Sequence, residues 1–205
     1  MFDIVNYPLF LLTAVTLNLY PGPDTLYILG RSAAQGRAAG IVSALGIGMG
    51  AVIHTLLGAA GLTALVAASA TAYQLVKWAG AAYLIYLGLT MIFSKSAGVT
   101  RTEPAQSLPR IFRQGVLTNV LNPKVALFFL ALIPQFIAQG AAHPGLAFLV
   151  LGLTFVTTGT TWCLIVAALG GMLNRRLTGG NGAVWLKRAG GGILAGLGAK
   201  LALSD

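Results

Sequence analysis

Hydrophobic positions along this chain fall in long blocks, without the strict alternation of a half-buried strand or the narrow stripe of a soluble amphipathic helix. The blocks lie at approximately 5–30, 40–67, 71–93, 111–138, 145–170 and 183–203. A helix needs about 20 apolar residues to cross the hydrocarbon core, so the pattern predicts an all-α integral membrane protein with six transmembrane helices. Because the blocks nearly exhaust the chain, residues 1–205 are read as a single membrane domain. The first block has no basic segment before it and is too long for a cleaved signal, so it is read as a mature span. The sixth is the weakest, since its unbroken apolar part, 189–203, contains Lys200. Trp185 is placed to anchor that span at the interface while Lys187 and Arg188 reach back to the headgroups.

Two blocks are interrupted from within. Pro21, Gly22, Pro23 and Asp24 break the first, and Leu121, Asn122, Pro123 and Lys124 break the fourth. Proline lacks the helical N–H and its ring clashes with the preceding turn. Each motif therefore predicts two half-helices in place of one continuous span. Asn122 is a favourable cap for a half-helix beginning at Pro123, and Gly22 followed by Pro23 matches that arrangement. Each new half-helix carries an ion in its first turn, negative at Asp24 and positive at Lys124.

Lys77, Ala79, Gly80, Leu84, Leu87 and Gly88 recur with the same spacing as Lys187, Ala189, Gly190, Leu194, Leu197 and Gly198. The two proline breaks stand at a similar offset. The chain is thus expected to hold two three-helix repeats, about 1–95 and 108–205, joined by a polar cytoplasmic linker at about 94–109. An odd number of spans makes such repeats inverted, a design of secondary transporters that places the site at the repeat interface. Chance likeness between two apolar, glycine-rich helices is the plain alternative.

Composition strengthens the membrane reading: 57% of residues are hydrophobic, 8% are charged and the mean hydropathy is +0.83, against about 25% charged in soluble domains. The formal net charge of +9 does not point to nucleic acid, because the basic residues are scattered over short connections. Ten of the 13 basic residues, Arg31 and Arg188 among them, lie in or beside the first, third and fifth connections, and the second and fourth have none. The bias of cytoplasmic loops toward Lys and Arg puts the odd connections inside and both termini in the periplasm.

The candidate chemistry gathers at the breaks. A charge at the centre of a membrane helix costs about 2.5 to 3.5 kcal/mol, so Lys124 is expected to face either Asp24 or a substrate carboxylate. One reading is a buried ion pair that fixes how the halves dock. The other is a zwitterion site, in which half-helix amides and Lys124 take a carboxylate while half-helix carbonyls and Asp24 take an ammonium. The substrate-binding candidates are Pro21, Gly22, Pro23, Asp24, Asn122, Pro123, Lys124, Tyr20, Tyr27, His54, Gln135, Thr157 and Thr158. Asp24 and His54 are also proton-coupling candidates, although a histidine in such a span commonly just bonds a backbone carbonyl. Thr154, Thr157, Thr158 and Thr161 share one helical face, which either lines a path or bonds the preceding turn. Gly46 with Gly50, and Gly192 with Gly196, are small-xxx-small pairs suited to helix contact within one chain or in a homo-oligomer. Cys163 is the only cysteine, so no internal disulfide forms. No cofactor, catalytic residue or metal site is expected, since one thiol, one intramembrane histidine and one intramembrane carboxylate do not make a dedicated metal site.

Several segments, PGPD at 21–24, GRAAG at 36–40, GIGMG at 46–50, GAAYLIYLG from Gly80 and NVLNPKVALFFLALIPQF from Asn119, resemble the LysE/RhtB family of bacterial amino-acid exporters over nearly the whole chain. The resemblance implies proton-motive-force-dependent efflux of amino acids or related small metabolites across the bacterial cytoplasmic membrane. The family often has Asn where this chain has Asp24, and many members carry an acid where it has Ala51. If that acid serves coupling elsewhere, Asp24 takes the task here.

The expectation is a secondary active exporter and not an enzyme, working by proton antiport and alternating access, with an amino acid as its small-molecule partner and lipid around it. The alternatives are a divalent-metal or other small-ion transporter of related fold and an intramembrane enzyme, for which no nucleophile, base and orienting group stand out.

Overall fold

The computed structural model describes residues 3–68 and 105–178 continuously, with single positions between 78 and 93 and between 188 and 203. Six helices and no strands occur among the described residues. They are α1 (Tyr7–Leu19), α2 (Pro23–Gln35), α3 (Arg37–Ala68), α4 (Leu108–Val120), α5 (Pro123–Leu127) and α6 (Pro144–Thr178). Two of them are long and apolar enough to cross a membrane, over Arg37–Gly61 and Pro144–Gly170, and α4 with the segment Pro123–Phe136 makes a third candidate bent by 48°.

The predicted breaks appear where proline removes the N–H. The first block yields α1, an apolar helix of 13 residues, and α2, which continues to Gln35. The fourth block begins earlier than its apolar run, at Leu108 after Ser107, with Pro109 in the first turn. The fifth runs on to Thr178. These overruns have a common cause: the apolar run ends before the helix does, because Gln and Arg remain good helix formers. The linker around 94–104 and most positions of the third and sixth blocks, with the recurrence between them, lie outside the described residues. Gly198 is described, and a Cβ there would lie 2.8 Å from Ala81 O, so these two blocks touch.

Beyond α5 the helix widens into a π turn, Phe128–Leu132, and tightens into a 3-10 turn, Ile133–Phe136. Pro134 lacks the N–H that would bond the Leu130 carbonyl, and the ladder rearranges around that gap. Phe128 and Phe129, adjacent in sequence, both enter one aromatic core: Phe128 lies 4.5 Å from Phe155, Phe129 lies 5.3 Å from Phe155 in an edge contact, and Phe10 meets Phe136 at 5.3 Å.

α3 packs closely against α4 through glycine. A Cβ on Gly115 would stand 2.9 Å from Ser43 O and 3.3 Å from the Gly46 Cα, and one on Gly50 would stand 2.7 Å from the Asn119 Cβ. The Gly46/Gly50 pair is therefore used inside the chain. Gly192 and Gly196 have nothing within 4 Å among the described residues.

The two ends of the bundle are tied separately. At one end Val5 N donates to Phe136 O at 2.9 Å and Ala138 N to Asp3 O at 2.8 Å. At the other, the Gln35 amide pairs with the Gln106 backbone, giving at 2.8 Å and receiving at 3.0 Å. This second end also carries Arg37, Arg110 and Arg113, all exposed.

Candidate functional site

Pro21 sets up the first half of the site. In a continuous helix the Leu17 carbonyl would accept from the N–H of residue 21, and proline has none. The Lys124 ammonium fills that gap, donating to Leu17 O and to Tyr20 O, both at 3.2 Å. It also lies 5.6 Å from the Tyr20 ring centroid. A lysine in the first turn of α5 sits at the unfavourable end of its own helix dipole, but its ammonium reaches the negative end of α1, where a cation is stabilised. The approach needs a glycine, since a Cβ on Gly22 would be 3.3 Å from Lys124 Nζ.

Pro123 does the same to Asn119. The carbonyl freed there accepts from Asn122 N at 3.0 Å and is 3.3 Å from His54 Nε2. A carbonyl cannot donate, so Nε2 carries the proton. His54 also stacks on Phe129 at 5.4 Å. Asn122 caps the new half-helix as expected, its Oδ1 accepting from Lys124 N at 3.0 Å. At the other break Gly22 gives α2 no side-chain cap.

Asp24 and Lys124 are both buried, and no direct ion pair between them occurs among the described residues. Asp24 Oδ2 accepts from Asn119 Nδ2 at 2.9 Å, and Oδ1 has no hydrogen-bond partner among the described residues. The half-helix carbonyls expected to receive an ammonium are occupied by the lysine of the opposite break. What the two ions share is a cavity of about 30 Å³, lined by Asp24 and Lys124 with Asn18, Asn119, Thr160 and Cys163 and an apolar wall that includes Ile47, Ala51, Val125, Phe155 and Val156. Asn119 Oδ1 and Thr160 Oγ1 are also buried without a partner among the described residues. This volume suits water and is about a tenth of the smallest usual ligand pocket, so the cavity is narrow in this conformation.

Other candidates lie elsewhere. Pro23 and Pro123 are exposed first residues of their helices, and Pro21 is half-buried in the turn. Tyr27 does not line the cavity and donates to Ile111 O at 2.8 Å. Gln135 is half-buried in the 3-10 turn and does not line the cavity. Thr157 is exposed and bonds Leu153 O at 2.8 Å, while Thr158 accepts from Asn18 Nδ2 at 3.1 Å. Thr154, Thr157 and Thr158 each bond a carbonyl of the preceding turn, and Thr160, one position off that face, lines the cavity. Asn18, Asn119, Thr160 and Cys163 were missed as site residues. For Asn18 and Asn119 a signal existed: each is a polar residue about one turn before a proline break.

The profile of the LysE type translocators matches residues 15–205. A membrane protein of Vibrio cholerae serotype O1, itself described as uncharacterized, is 35% identical over 98% of both chains. The leucine efflux protein of Salmonella choleraesuis is 32% identical over 75% of this chain and 73% of its own. A membrane protein of Pseudomonas aeruginosa, also described as uncharacterized, is 36% identical over 72% of this chain and 71% of its own. No solved structure gives a significant match. With a profile match over nearly its whole length and broken apolar helices around a charged cavity, the chain belongs to the LysE type translocators, membrane transporters rather than enzymes.

Proposed function

We propose that the protein is a secondary active exporter of amino acids or related small metabolites, coupled to protons by antiport and working by alternating access between two inverted repeats. The carrying observation is that an acid from one proline break and a base from the other open onto the same apolar-walled cavity. A zwitterion fits both. Its ammonium goes to Asp24 Oδ1, and its carboxylate goes to Lys124, whose two bonds to carbonyls leave one of three N–H donors for a ligand. Ile47, Ala51, Val125, Phe155 and Val156 favour an uncharged aliphatic side chain, in keeping with the name of the Salmonella relative.

Antiport follows if a proton and the substrate ammonium compete for Asp24. At the proton-rich outer face protonation neutralises the carboxylate and releases the substrate. At the inner face deprotonation restores the site. The end of the bundle with Arg37, Arg110 and Arg113 is assigned to the cytoplasm of a bacterial inner membrane and both termini to the periplasm, by the enrichment of Lys and Arg in cytoplasmic loops.

Proteoliposomes loaded with a panel of labelled amino acids test this. The expected result is efflux of one or a few aliphatic members, accelerated when the trans side is made acidic. Efflux of none, or rates indifferent to an imposed gradient, contradicts it.

A further inference from the structure

Asp24, Tyr27, Arg31 and Gln35 are spaced by three or four residues and run along one side of α2, from the cavity to the basic end of the bundle. Beyond Asp24, each is tied to α4 or to the segment before it. Tyr27 Oη donates to Ile111 O at 2.8 Å and lies 3.3 Å from Gln114 Oε1. Arg31, 2% exposed, donates to Gln114 Oε1 and to Gln35 Oε1, each at 3.2 Å, and covers the Tyr27 ring at 5.7 Å. Gln35 holds the Gln106 backbone by two bonds. A polar seam thus joins α2 to α4 and the segment before it between Asp24 and the basic end.

The rest of α2 is built differently. Ile28 and Leu29 pack with Ala44 and Ile47 of α3 and with Cys163, Val166 and Ala167 of α6, and the small Ser32 fits against Gly40 of α3 and Gly170 of α6. Both ends of the 13-residue helix are glycine breaks: Gly22 in extended backbone, and Gly36 at φ 82, where a Cβ would meet nothing within 4 Å. By contrast α3 and α4 are locked backbone to backbone at Gly46 and Gly115. α2 is thus flanked by a glycine at each end, packs on α3 and α6 through small and apolar side chains, and carries the polar seam to α4.

We infer that α2 is the gate at the basic end: it swings about Gly22 and Gly36, and the bonds of Tyr27, Arg31 and Gln35 to α4 and Gln106 latch it shut over the substrate path. Because Asp24 begins the same helix, the swing also moves the carboxylate relative to Asn119 and Lys124, linking opening to the site. The inference rests on the exporter reading for its purpose, not for its test.

Cys163 supplies the readout, being the only cysteine in the chain and part of the cavity wall. Its modification by a membrane-impermeant methanethiosulfonate is timed in vesicles of either orientation, for the native protein, Tyr27→Phe and Gln114→Leu. Tyr27→Phe removes one hydroxyl and keeps the ring, so it reports even if Gln114→Leu misfolds. The expected result is labelling about tenfold faster from the basic face and unchanged from the other. Unchanged rates from the basic face in folded Tyr27→Phe, or equal acceleration from both faces, overturn the gate. Transport is not part of this readout: a protein that exports no amino acid yet shows one-sided acceleration keeps the gate and loses the exporter reading, and the reverse result does the opposite.

Discussion

Asn119 and Asp24, 95 residues apart in sequence, share a 2.9 Å hydrogen bond that fastens the turn before one proline break to the first turn after the other. The same asparagine offers its backbone carbonyl, freed by Pro123, to His54. Replacing Asn119 with Leu strips a buried carboxylate of its donor. Hydrogen bonds to charged groups contribute about 1.5 to 3 kcal/mol, and a loss of that size is expected in stability, with export reduced as well. Thermal unfolding of the purified protein in detergent measures it.

The glycine contacts make a second prediction with an internal control. Gly115→Val drives a side chain into the α3 backbone at Ser43 and is expected to destabilise by about 1 to 3 kcal/mol or more, the usual range for overpacking. Gly61→Ala meets nothing within 4 Å and is expected to be neutral or to stabilise by up to about 1 kcal/mol, since alanine is the better helix former. Melting temperatures of the two variants beside the native protein check both directions.

Much of this arrangement was legible in the sequence because proline acts locally. Pro21, Pro23 and Pro123 break their helices wherever they are packed, and Asn122 caps the next one with its own side chain. The destination of Lys124 was not legible. Its helix position argued against a cation, and the carbonyls that accept it belong to residues 104 and 107 positions away. Thr160 and Cys163 gave no signal either, since one lies in a run of threonines and the other in an apolar block, and only the packing of α6 against α2 and α3 turns them inward. The latch was hidden for another reason: Gln35, Gln106 and Gln114 look like ordinary solvated residues at helix ends.

Coupling is tested at Asp24. Asp24→Asn removes both the titratable proton and the negative charge that holds the substrate ammonium, so substrate exchange across the membrane is expected to slow and its acceleration by a pH gradient to disappear. The ratio of efflux rates with and without an acidic trans side is the measurement. A ratio equal to that of the native protein would move the coupling group elsewhere.

Orientation follows from cysteine labelling of intact cells in a Cys163→Ser background. Ala105 and Ala142, both exposed, lie at opposite ends of the bundle, beside Gln106 and next to the Asp3 contact respectively. A cysteine at 142 is expected to react with an impermeant reagent from outside, and one at 105 only after permeabilisation. The reverse pattern inverts the topology.

The central claim, that Lys124 receives the substrate carboxylate in the shared cavity, makes a demand on substrate chemistry that no docking role makes. Exchanging Asp24 and Lys124 would not test it, because a carboxylate at 124 would face the Leu17 and Tyr20 carbonyls and disturb folding for its own reasons. The decisive measurement is binding of the best-exported amino acid and of its carboxamide to the native protein and to Lys124→Met. Native protein is expected to prefer the acid by about tenfold or more, as for loss of one charge-assisted bond, and Lys124→Met to bind acid and amide alike. A folded Lys124→Met protein that keeps the native preference for the acid would contradict the account.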